Sequence, residues 1–167
     1  TSNYFFHKIR MTVDSINSPS AIRTWNEPKV RNGMLNALWT LKLKEVNTNT
    51  IHQAISMRKY IPSQFRPNVA KTLYDLHNAE NILDFSAGWG DRLVSAFTKK
   101  SYVGVDPNTN LTPSYNAMIK EYNPNCSIKM IYEPFEDATF SEDGFDMVFT
   151  SPPYFRIEKY SKDPTQS

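Results

Sequence analysis

The sequence predicts an α/β fold behind a helical N-terminal part, and three stretches carry that prediction. Asn81-Ile82-Leu83-Asp84-Phe85-Ser86-Ala87-Gly88-Trp89-Gly90-Asp91-Arg92-Leu93 reads as a short apolar strand, a glycine-containing loop and the start of a helix. Tyr102 to Val105 is a second strand, ending in Asp106. Phe145 to Thr150 is an apolar run that stops at Ser151-Pro152-Pro153-Tyr154. It stops there because neither proline has an N–H to donate and the residue before each is held extended. With Ser127 to Ile131 as a further strand, the sheet has four readable strands, around Ile82, Tyr102, Ile128 and Met147. Ligands of open α/β sheets bind outside the carboxyl ends of such strands.

Taken in order, the first 26 residues open on a Tyr4-Phe5-Phe6 cluster, which suggests a short strand, and then turn polar. Pro28 suits the first turn of a helix to about Val46, with Val30, Met34, Leu35, Leu38, Leu41 and Leu43 as its apolar side and Trp39 read as core. Thr48 to Thr50 can cap a second helix, from Ile51 to about Tyr60. Pro62 and Ser63 mark the joint between a part spanning 1–62 and a domain spanning 63–167. Pro67 opens a helix to about His77, with Val69, Leu73 and Leu76 toward the sheet, and Asn110 to Tyr122 forms another.

The candidate site lies at the strand ends. Gly88 and Gly90 permit backbone approach to a ligand, and Asp91 can cap the helix that follows. Asp106, roughly 20 residues after the first strand's end, occupies the position from which ribose hydroxyls are held in nucleotide-binding folds, or serves as a turn acid. The Ser-Pro-Pro-Tyr turn presents the Ser151 hydroxyl, the Pro152 carbonyl and the Tyr154 ring. These suit an exocyclic amine on a flat ring, a poor nucleophile whose N–H hydrogens need acceptors and whose ring can stack on an aromatic face. For that, the strands carrying the loop and the turn must be neighbours with carboxyl ends on one edge.

On these motifs the chain resembles the S-adenosylmethionine-dependent amino-methyltransferases of nucleic acids. In that family a D-x-F-x-G-x-G loop binds the cofactor, an acid after the second strand binds its ribose, and a D/N/S-P-P-Y turn is catalytic. Here the loop carries Asp84, Ser86, Gly88 and Gly90, with Ser86 where the family has Phe. The resemblance covers about Phe65 to Ser167. It implies a Rossmann-like methyltransferase sheet, incomplete at the C-terminus, whose remaining strands come from a missing segment or a second chain. It further implies catalytic roles for Ser151, Pro152, Pro153 and Tyr154. Arg66 would hold the methionine carboxylate of the cofactor, Glu136 or Asp137 the adenine amino group, and Phe135 or Ile131 would pack on the ring. Residues 156–167 read as a polar loop closing over the substrate. The Ser form of the turn leans to N4 of cytosine in DNA, the Asp and Asn forms to N6 of adenine. Methylation of RNA or of glutamine side chains, and a non-catalytic fragment binding cofactor or nucleic acid, are the alternatives.

Charge and composition fit such a partner. The chain of 167 residues has a net charge of +2. Residues 1–70 hold ten Lys/Arg and three Asp/Glu, and 71–167 hold nine and fourteen, so +7 stands beside −5. A basic part beside an acidic one suits DNA, or is a solvated helix face. One cysteine, Cys126, excludes an internal disulfide, and His7, His52 and His77 show no ligand spacing, so no metal is expected. The absence of a ~20-residue apolar run argues against a membrane span, and the absence of a signal-like N-terminus points to an intracellular protein of the cytoplasm, nucleoid or nucleus.

Overall fold

The computed structural model describes residues 2–15, 19–42, 44–58, 62–139, 144–152 and 158–159. In chain order the elements are α1 (Ser2–Arg10), β1 (Asp14–Ser15), α2 (Ala21–Asn26), α3 (Pro28–Thr40), α4 (Thr48–Arg58), α5 (Pro67–Leu76), β2 (Asn81–Asp84), α6 (Asp91–Ser95), β3 (Ser101–Val105), a 3-10 turn (Thr109–Leu111), α7 (Thr112–Tyr122), β4 (Ser127–Ile131), β5 (Met147–Val148) and β6 (Glu158–Lys159). They form two compact units. One holds Thr1–His7 and Gln64–Pro153, the other Lys8–Ser63 and Tyr154–Ser167. The first seven residues thus group with the α/β unit, although the sequence assigned them to the helical part.

The α/β unit is built on a four-stranded, all-parallel sheet of order β4-β3-β2-β5, a Rossmann-like arrangement. From β2 the chain steps outward to β3 and β4, then returns to pair β5 on the other side of β2. That reversal makes the β2–β5 crevice the switch point of the sheet. Ile82 aligns with Met147 and Leu83 with Val148, and the Phe149 N–H extends the ladder to the Leu83 carbonyl at 2.9 Å. The Asp146 carboxylate fixes this register from below, accepting the backbone N–H groups of Glu80 (3.0 Å) and Asn81 (2.9 Å). Leu83, Val105 and Ile131 form an apolar core cluster, with Phe145 packed on it.

A buried ion pair ties the first strand to the helix after it. The Asp84 carboxylate, fully buried, accepts Arg92 Nε at 2.7 Å and Nη2 at 3.3 Å and the Tyr102 hydroxyl at 2.6 Å. Arg92 Nη2 also donates to the Ser86 carbonyl. Desolvation pushes the Tyr102 hydroxyl well above its usual range, with the Asp84 charge acting the same way, so it stays a donor. Helix α5 contributes Tyr74, whose ring meets Phe149 edge-on at 5.7 Å, and Phe65 approaches Phe149 from another side at 5.6 Å.

Several local expectations are corrected. Tyr4-Phe5-Phe6 lies in α1, because Ser2 and Phe6, one turn apart, share the buried side of a helix. On α5 the buried residues are Ala70 and Tyr74, while Val69 and Leu76 are exposed, since the large Tyr74 ring takes the inward position. Helix α3 ends at Thr40, short of Val46, with Lys42 in a left-handed conformation. Met34, Ala37 and Leu38 are its buried residues, and Trp39 is not core: it is 88% exposed. Leu43 lies outside the described residues. Helix α4 is capped reciprocally: the Asn47 side chain accepts from Asn49 and Thr50, and the Thr50 hydroxyl accepts the Asn47 N–H at 2.9 Å, so a threonine of the expected stretch shares the cap with an asparagine. The helical unit also contains an antiparallel β1–β6 pair that the sequence did not suggest. Among the described residues no helix is long and apolar enough to cross a membrane.

Removing one member of a buried pair strands the other charge, at a cost of about 3–5 kcal/mol. Arg92→Met is therefore expected to lower the unfolding free energy by that amount in urea titrations. Adding Asp84→Leu should recover only part of it, because the Tyr102 hydroxyl and Ser86 carbonyl lose partners as well. A single variant as stable as the parent chain would refute the assignment.

Candidate active site

The loop from Phe85 to Gly90 leaves β2 with its shape set from inside. The Ser86 N–H turns back to Asp84 at 3.3 Å, the Ala87 N–H bonds to the Val105 carbonyl at 3.0 Å, and the Gly88 peptide is gripped at both ends. Its N–H donates to Asp106 Oδ2 at 2.8 Å, and its carbonyl accepts the Tyr115 hydroxyl at 2.6 Å. Asp84 therefore shapes the loop and, being fully buried, presents no surface to a ligand.

The two glycines have different duties. Both are left-handed, Gly88 with φ of 58° and Gly90 with φ of 71°. A Cβ on Gly90 would lie 2.9 Å from the Phe6 ring and 2.8 Å from the Met118 methyl, so the protein's own core fills that approach. A Cβ on Gly88 would meet only the Ser86 carbonyl, at 3.7 Å. Gly88, then, is the glycine whose open side is available to a ligand. Gly90 is the N-cap of α6, and Asp91, expected as the cap, is instead buried, accepting from the Ser2 hydroxyl and, at 3.5 Å, from Gln64.

Asp106 closes the end of β3. Its second oxygen accepts the Asn108 N–H at 2.9 Å, and only 9% of the residue is exposed. Burial pushes its carboxyl up to about 6, against the opposing pull of the Asn108 and Gly88 N–H groups. Among the described residues each carboxylate oxygen has one donor and retains acceptor capacity, which suits a pair of ligand hydroxyls. Beyond β4, the Phe135 ring is 41% exposed and lies 4.8 Å from Phe85 at a tilt of 33°. Ile131, the other residue expected there, is in the core. Glu136 and Asp137 are exposed on the turn that begins at Pro134, and nothing in the geometry chooses between them.

Next to the loop is a cleft of about 270 Å³ whose lining includes Ser2, Gln64, Arg66, Asn68 and Asp91. Arg66 is exposed and forms the N-cap of α5, with Pro67 at the first helical position. A cation, a helix start and a buried carboxylate around one cleft match the two charges of an amino-acid group. Across the switch point, Ser151 is half-buried and Pro152 exposed, three and four residues past Val148. In parallel register the turn and the Gly88 loop leave adjacent strands at one edge. Pro153, Tyr154 and most of 156–167 lie outside the described residues. Sequence reasoning missed Tyr115 and Asp146. Their partners lie far away in sequence: the Gly88 carbonyl for Tyr115, and the Glu80 and Asn81 N–H groups for Asp146.

No family model matches the chain, and no curated protein or solved structure matches it either.

Two outcomes test this geometry. Gly88→Ala is expected to cost about 1–2 kcal/mol, the strain of a left-handed side chain, whereas Gly90→Ala adds a clash with Phe6 and Met118 and should cost distinctly more in thermal unfolding. Equal losses would mean that the open side of Gly88 is not open. For Asp106, the folded state keeps its proton up to about pH 6, while the unfolded chain releases it near 3.9. Stability must fall as pH rises through that window, by about 3 kcal/mol. Asp106→Asn lacks this component, so parent stability relative to the variant should drop by that amount between pH 4 and 7 in urea titrations. A constant difference would refute the burial argument.

Proposed function

We propose that the α/β unit transfers a methyl group from S-adenosylmethionine to an exocyclic amino group of a DNA base, with N4 of cytosine favoured. The observation that carries this reading is the parallel pairing of β2 with β5, which sets the Gly88 loop and the Ser151-Pro152 turn side by side at the switch point.

The residues described fit the cofactor: the open side of Gly88, the Asp106 acceptors at the end of β3, the exposed Phe135 ring and the charged cleft at Arg66. When bound, the cofactor supplies an electrophilic methyl group. Asp106 would take the ribose hydroxyls, Phe135 would cover the adenine, and Arg66 would face the methionine carboxylate. At the turn, the Ser151 hydroxyl and the Pro152 carbonyl accept the amine hydrogens. Those bonds strengthen as the nitrogen leaves the plane of its ring and its lone pair becomes available. Tyr154 would stack on a base drawn out of the duplex, as enzymes acting on base atoms require. A methyltransferase sheet completed by a further segment or a second chain belongs to this same proposal.

Nucleoside mass spectrometry after incubating the chain with labelled S-adenosylmethionine and either DNA or RNA tests the reading. Label in N4-methylcytosine of DNA is expected; label in adenine moves the target base, and label in neither polymer overturns the proposal. Ser151→Ala removes an acceptor used mainly in the transition state, so turnover should fall roughly 10–100-fold while cofactor affinity stays unchanged. Cofactor affinity should itself tighten from pH 5 to 7, because ligand hydroxyls prefer the ionised Asp106, and calorimetry across that range would expose a flat response.

A further inference from the structure

The helical unit has a face that the proposed reaction does not use. Helix α3 turns Met34, Ala37 and Leu38 into a core shared with Ala54 of α4. At about 100° per residue, Lys29, Asn32, Gly33, Asn36 and Trp39 fall on the opposite third of its circumference, and all five are exposed. Tryptophan is highly buried on average, yet Trp39 is 88% exposed.

The chemistry of this strip is one-sided. Neither α3 nor α4 contains an acidic residue. Among the described residues no carboxylate pairs with Lys29, nor with Lys42 or Lys44 just beyond the helix. A Cβ on Gly33 would have nothing within 4 Å, so the middle of the strip is bare backbone that a partner can approach. Asn32 and Asn36, one turn apart, offer paired donors and acceptors.

We infer that this face of α3 is a duplex-DNA docking surface, seated in the major groove with Asn32 and Asn36 toward the base edges and Lys29 on the phosphates. This rests on the reading of DNA as the substrate. A helix of 13 residues is about 20 Å long and fits a groove about 12 Å wide. Asparagine amides match the paired donor and acceptor of adenine, and an apolar ring can contact the thymine methyl group. Lys29, on a helix that carries no acidic residue, complements a polyanion. A membrane surface suits the strip poorly, because its centre is amide and glycine where lipid would need a continuous apolar stripe.

The test uses the full chain and a labelled 20-base-pair duplex, with anisotropy followed from 50 to 200 mM salt. Lys29→Gln should reduce the slope of log affinity against log salt by about one unit. Asn36→Ala and Trp39→Ala should weaken binding roughly 5–100-fold at an unchanged slope. Calorimetry should show unchanged S-adenosylmethionine affinity in all three, since these residues lie outside the α/β unit. Parent-like affinity and slope in all three variants would overturn the inference while leaving methyl transfer standing. So would equal competition by a single strand of the same length, or binding to anionic phosphatidylserine vesicles in place of duplex. Loss of duplex binding in the variants of a chain that methylates nothing would support this surface and count against the reaction.

Discussion

The Asp84–Arg92 pair is the constraint on which the candidate site depends. A carboxylate with no exposed surface is tolerable only if its lone pairs are taken, and here Arg92, Tyr102 and the Ser86 N–H take them. The three partners come from the helix after the loop, the neighbouring strand and the loop itself. Their demands leave the chain between Asp84 and Arg92 little choice of path. An apolar pair in the same place would hold β2 to α6 as well, but would not steer the Ser86 carbonyl or the turn at Ala87. The pair thus acts on the site from behind, by shape.

A second electrostatic feature works in the opposite sense. Asp106 is also buried, yet among the described residues its hydrogen-bond donors are the backbone N–H groups of Gly88 and Asn108, with no cation between them. Where Asp84 is paired with Arg92, Asp106 faces burial with backbone N–H groups as its donors among the described residues, and burial raises its pKa. Perturbed carboxylates in this position are candidate binding groups, because a ligand that donates hydrogen bonds relieves a cost the fold already bears. Gly88 is held between Asp106, which accepts its N–H, and Tyr115, which donates to its carbonyl. Movement of either side chain would be felt at the open face of the glycine.

Strand positions were legible because their signals are local, although of the run from Phe145 to Thr150, read as a buried strand, only Met147–Val148 is strand and Val148 is exposed. Apolar runs bounded by glycine or proline mark strand ends whatever the tertiary context, and Ser127–Ile131 was read to the residue. What failed depended on distant partners. The Tyr4-Phe5-Phe6 cluster looked like a strand until Phe6 is seen against Tyr115 at 5.0 Å and over Gly90. The phase of α5 was missed because Tyr74 outweighs Val69 and Leu76 only once Phe149 is there to pack on. Trp39 was assigned to a core on hydrophobicity alone, and its exposure shows that the helix faces away at that position. Gly90 resembles a ligand-facing glycine in sequence, yet its missing side chain serves internal packing.

Residues 2–7 of α1 close the α/β unit from the far end of the chain. Ser114 donates to the Phe5 carbonyl across 109 positions, and Ser2 reaches Asp91 across 89. Contacts of such separation are closed late, because the loop entropy must be met before they give anything back. During synthesis the segment is made before its binding partners, so Phe6 waits without a core until α6 and α7 have emerged. For as long as it waits, Gly90 and Met118 lack their cover, and the loop that bears Gly88 is supported on one side only. Residues 2–7 are therefore expected to lock onto the unit after α6 and α7 have formed.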